Sequence, residues 1–73
     1  PRSDDNNILP GELYELYYST IDGWESLGSQ TGRDDKTLRY SNIPKNLLLR
    51  LHNHTRGKEN RIFIYENGKQ VYY

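Results

Sequence analysis

Tyr14, Leu16 and Tyr18 recur at period two from Leu13 to Ser19, and this alternation predicts a half-buried β-strand. Thr20-Ile21-Asp22-Gly23 then supplies an Asp-Gly turn, and Trp24 to Gln30 reads as the returning strand. Trp24 and Leu27 have opposite parity, which predicts either a bulge near Ser26 or a Trp24 at the strand's mouth. A third, short strand is expected over Thr37 to Ser41, with Leu38 and Tyr40 on one face, ended by Asn42-Ile43-Pro44-Lys45-Asn46. Leu47 to His52 is the most apolar run: Leu47, Leu49 and Leu51 share one face, and Leu48, Arg50 and His52 the other. It suits the centre of a sheet, because Pro44 before it and Asn53-His54-Thr55 after it leave too little length for the rival helix. After a polar loop from Asn53 to Asn60, two apolar runs flank Asn67-Gly68, a dipeptide that accepts the positive φ angles of a type I′ hairpin turn. In this hairpin Ile62 and Ile64 face one side, Phe63 and Tyr65 the other, and the pair of strands closes the sheet. Short strands with turn signals between them and no amphipathic helical stretch predict an all-β fold, a small antiparallel β-sandwich or barrel of about six short strands.

Composition narrows the functions open to such a fold. Seventy-three residues make one domain of modest stability, with residues 12–73 as the β domain and the polar stretch 1–11 as a linker from an upstream domain. Ten cationic side chains against ten anionic ones give zero net charge, which removes the basic field that nucleic-acid binders use. Only 33% of residues are hydrophobic, a fraction that by itself points to disorder. Seven Tyr, one Trp and one Phe reverse that reading by bringing large buriable surfaces. With no Cys there is no disulfide, no thiolate metal site and no Cys nucleophile. No apolar run approaches the roughly 20 residues of a membrane span, so no membrane insertion by this segment is expected. The absence of Met leads to the expectation that the chain is a piece of a longer protein.

Several residue groups carry candidate chemistry, each beside a plainer account. His52 and His54 point the same way if they lie on a strand, but a zinc site needs three or four ligands and the nearest oxygen donor is Glu59. Ordinary histidines, with no metal or other cofactor, are the expectation. Arg56, Lys58 and Arg61 cluster around Gly57 as an anion-contacting loop, while Glu59 partly neutralises them and favours a solvated connection. Tyr17, Tyr18, Trp24 and Tyr72 are the candidates for an aromatic surface on which a sugar ring stacks, against the rival view that most tyrosines pack the core. Asn53-His54-Thr55 matches the N-glycosylation sequon, a frequent motif. There is no Gly-x-Ser-x-Gly elbow and no carboxylate pair embedded in apolar sequence, so an enzyme is not expected.

The segments Glu15-Leu16-Tyr17-Tyr18, Asp22-Gly23-Trp24, Ser26-Leu27-Gly28, Asn42-Ile43-Pro44, Asn53 to Glu59 and Phe63 to Val71 occur in this order. Together they resemble the extreme C-terminal β module of multidomain secreted or lipid-anchored proteins of gut anaerobic bacteria, many with a transglutaminase-like domain upstream. The resemblance runs from Glu12 to Tyr73 and is most specific at Tyr65 to Val71, followed by Tyr72-Tyr73 where relatives are expected to carry Trp-Trp. It implies an extracytoplasmic location, periplasmic or at the cell surface, and an accessory role beside an upstream domain of the same polypeptide. It passes on no catalytic residue, because transglutaminase-like chemistry needs a Cys that this chain lacks. The expected function is therefore a non-catalytic C-terminal β module that packs against or orients the upstream domain, with glycan or peptide binding as an added task. The alternative is a carbohydrate-binding module using exposed aromatics.

Overall fold

In strand β1 (Leu13–Thr20) the period-two pattern does what alternation requires: Tyr14 and Leu16 are buried on the inner face, while Glu15 and Tyr17 lie on the outer. A computed structural model describes residues 8–60 and 62–72 of the chain. Five further strands follow: β2 (Gly23–Thr31), β3 (Leu49–Asn53), β4 (Lys58–Glu59), β5 (Phe63–Glu66) and β6 (Lys69–Tyr72). All pair antiparallel in one sheet of order β2-β1-β3-β5-β6, with β4 added to β3. The small all-β fold of six short strands is thus present.

Both predicted hairpins form. Ile21-Asp22 joins β1 to β2, with the Thr20 hydroxyl donating to the Gly23 carbonyl at 3.0 Å and accepting from the Asp22 N–H at 3.2 Å. At Asn67 (φ 50°) and Gly68 (φ 75°) both central residues are left-handed, as a type I′ turn demands. The bulge is also real. Register slips between the Glu15–Ser29 and Tyr17–Ser26 pairs, so Leu27 and Gly28 together oppose Leu16. Gly28 takes φ 109°, the Ser26 hydroxyl caps its N–H at 2.9 Å, and Leu27 turns onto the core.

Three expectations are corrected. Thr37 to Ser41 forms no strand. It runs beside β2, where the Gln30 side-chain amide grips the Arg39 backbone from both sides: Gln30 Oε1 accepts the Arg39 N–H at 2.8 Å and Gln30 Nε2 donates to the Arg39 carbonyl. A primary amide offers the same donor and acceptor as a peptide group, so one side chain replaces the ladder. Strand β3 begins at Leu49, not Leu47, because Asn46 adopts φ 63° and Leu47 stays exposed. The polar loop after β3 contains β4, in which Glu59 pairs with His52 and Lys58 with Asn53 across a turn at Gly57 (φ 65°).

The inner face packs Tyr14, Leu16, Leu49, Leu51, Phe63 and Tyr72 into one core. Leu38, Tyr40 and Ile43 of the β2–β3 connection lie over it, so the second layer on this side is a connection held by side chains. Of the stretch read as a linker, residues 1–7 lie outside the described residues. Ile8 to Gly11 is anchored: Ile8 packs on the core, Leu9 N–H donates to the Tyr14 hydroxyl at 2.8 Å, and Gly11 N–H donates to the Gly32 carbonyl at 2.9 Å.

Candidate functional site

The register that hides Tyr14 and Leu16 brings the chemically richest side chains together on the outer face. Tyr17 of β1 lies opposite Arg50 of β3, and Trp24 of β2 lies opposite Ser19, all on the same side. The Arg50 guanidinium carbon sits 4.7 Å from the centre of the Tyr17 ring and 4.9 Å from that of Trp24, so one cation rests against two aromatic faces. Arg50 Nε is buried without a hydrogen-bond partner. Glu59 Oε2, 3.5 Å away, supplies opposite charge but not hydrogen-bond geometry.

Next to this clamp lies a polar network. Glu15 Oε1 pairs with His54 Nε2 at 2.7 Å, and Glu15 Oε2 accepts from the Ser26 hydroxyl. Hydrogen bonds from Ser26, then His54, then Tyr17 hold the Glu15 carboxyl down to about 2. The same contact raises the Tyr17 phenol, since Glu15 favours its protonated form. His52 Nδ1 meets Glu59 Oε1 at 2.8 Å, and the two imidazoles stack edge to face with centres 4.6 Å apart. Each histidine thus spends a ring nitrogen on a different carboxylate. Among the described residues no set of three or more His, Cys, Asp or Glu side chains is placed to hold a metal ion.

The outer face continues into an apolar band. Leu49 pairs with Phe63 on the inside, which puts Ile62 and Ile64 outside, and Val71 opposes Ile64. Leu48, whose carbonyl accepts the Ser19 N–H at 2.9 Å, extends β3 on the same side by alternation. Trp24, Leu48 and Ile62 are each more than a third exposed.

Of the four residues assigned to an aromatic surface, Tyr17 and Trp24 meet at Arg50. Tyr18, one residue from Tyr17, necessarily faces the other way, where its hydroxyl donates to Glu25 at 2.8 Å. Tyr72 is corrected from surface to core: it is buried, with its ring centre 5.8 Å from that of Phe63. Of the anion-contacting loop, Arg56 and Lys58 are among the described residues. Arg56 Nε is spent on both Glu12 oxygens, at 2.8 and 2.9 Å, and Lys58 belongs to β4. Arg61 lies outside the described residues. Asn53 of the sequon is buried and donates to Glu12 at 2.8 Å, so its amide is not presented for glycosylation. Arg50 belongs to no chemical motif in the sequence; its one signal is its place between Leu48 and His52 on the face opposite the buried leucines.

Ser26 hydrogen-bonds to the carboxylate and not to an imidazole, the wrong order for activating a nucleophile, and a carboxyl held at about 2 is a feeble base near neutrality. No protein-family model, curated protein or solved structure matches the chain.

Proposed function

We propose that the chain is a non-catalytic accessory β module whose outer sheet face docks on an upstream domain of the same extracytoplasmic polypeptide. One observation carries this reading: Trp24, Leu48 and Ile62, each more than a third exposed, lie with half-buried Ile64 and Val71 on the sheet face where an arginine rests against two aromatic rings. Large apolar side chains on a solvent face lose free energy until something covers them, and Trp, Tyr and Arg are the residue types that dominate interface energetics. The resemblance to C-terminal modules of secreted bacterial proteins points the same way. A glycan platform would use Trp24 and Tyr17 too, but Arg50 already occupies a face of each ring.

Hydroxyl-radical footprinting of the full-length polypeptide and of this chain alone tests the proposal. Oxidation of Trp24, Tyr17 and Ile62 is expected to fall severalfold in the longer protein. Equal labelling in both, or turnover of peptides or glycosides by this chain alone, refutes it, and saturable glycan binding at Trp24 selects the carbohydrate reading instead.

A further inference from the structure

Arg50 leaves one requirement of the outer face unmet. Its guanidinium carries N–H donors on three nitrogens, and among the described residues no oxygen accepts a hydrogen bond from any of them. Nε is buried without a partner, and Glu59 Oε2 stays 3.5 Å from it. A closer Glu59 would serve only that end of the group, because its Oε1 is already taken by His52 Nδ1 at 2.8 Å. The rings of Tyr17 and Trp24 attract the charge but supply no oxygen. With the side chain 29% exposed, solvent serves the donors of the isolated chain, and any surface laid over Trp24, Leu48 and Ile62 displaces that solvent.

We propose that the surface docking on this face places uncharged carbonyl oxygens, of the backbone or of amide side chains, over Arg50 and carries no carboxylate there. This rests on the docking reading and adds the partner's chemistry to it. A guanidinium taken out of water needs oxygen acceptors, because a buried donor left without one costs its full desolvation. The charge already present selects carbonyl over carboxylate. Glu59 beside Arg50, and Glu15, which holds the Tyr17 hydroxyl, set two carboxylates against one guanidinium while His52 and His54 are neutral. Further along the face Glu66 and Lys69 oppose each other across the hairpin and cancel. Arg50 thus lacks acceptors and not countercharge, and a third carboxylate would meet like charge in a site closed to water. Around those oxygens, Trp24, Leu48 and Ile62 require the partner surface to be apolar.

Protection of Trp24 from hydroxyl radicals in the full-length polypeptide, with the isolated chain of the same variant as reference, tests the proposal at about pH 8, where histidines are neutral. Glu59→Gln separates the two chemistries by sign. Over carbonyl oxygens it strips the guanidinium of its countercharge and is expected to weaken docking about two- to fivefold, the scale of a partly exposed ion pair. Over a partner carboxylate it removes a repulsion and tightens docking, a result that overturns the proposal, as does unchanged protection. Arg50→Lys keeps the charge but loses the planar fork of donors, and should weaken docking about tenfold. Unchanged protection in that variant also overturns the proposal. Both side chains lie outside the core, so the fold is retained. Wild-type polypeptide with no protection of Trp24 refutes the docking reading itself, and is thereby told apart from a failure of the acceptor assignment alone.

Discussion

Protonating Glu15 would remove the acceptor shared by Ser26, His54 and Tyr17 at once. Its folded-state carboxyl sits at about 2 against an ordinary 4.5, so between these values the unfolded chain binds more protons than the folded one. The stability contributed by Glu15 is therefore complete above about pH 4.5 and is lost as pH falls toward 2. Glu12, held low by Arg56 and Asn53, and Asp35, held low by Thr37, add to the same acid limb. Glu15→Gln is expected to flatten this limb, read as urea midpoints from pH 5 to pH 2; an unchanged acid slope would show that the network does not act through this carboxyl. At the residue scale the sequence told polar from apolar but not which partners meet. Glu12 and Arg56 are far apart in the chain, and nothing local shows that one neutralises the other. Tyr72 looked like a surface aromatic because a tyrosine serves equally well in either place, and only its pairing with Phe63 decides.

Elements with their own turn chemistry were legible. Asn67-Gly68 needs no tertiary contact to announce a hairpin, and the change of parity between Trp24 and Leu27 is visible as soon as the period is two. Gly68→Ala places a Cβ in a left-handed backbone and should cost about 1–2 kcal/mol. Open space around that Cβ means the loss is conformational and not steric. A thermal melt checks it, and an unchanged midpoint would remove the turn from the list of features that fix this hairpin. Elements defined by a neighbour were not legible. Thr37 to Ser41 has the composition of a strand, yet the Gln30 side chain satisfies the Arg39 backbone there without a ladder, and the Tyr40 hydroxyl ties the segment to β2 by donating to the Gly28 carbonyl at 2.8 Å. Strand β4 is only two residues long and exists because His52 and Asn53 present an edge to it.

Among the described residues the molecule rests on few buried apolar side chains: Tyr14, Leu16, Leu49, Leu51, Phe63 and Tyr72. Leu49 is fully enclosed at the junction of β1, β3 and β5. Leu49→Ala should cost about 2–5 kcal/mol, a large share of the roughly 4–11 kcal/mol available to a chain of this length. Chemical denaturation followed by Trp24 fluorescence should show the variant close to half-unfolded or beyond in mild urea; a shift within error would mean that the inner layer relaxes into the space. That layer has a further consequence. The backbone from Thr37 to Ser41 pairs with no strand, so inserting or deleting a residue there shifts the packing of Leu38 and Tyr40 but changes no strand register. Descendants of this chain can therefore vary what lies over the core while every strand keeps its neighbours, and diversity among relatives should be greatest in this connection and least in β1 and β3.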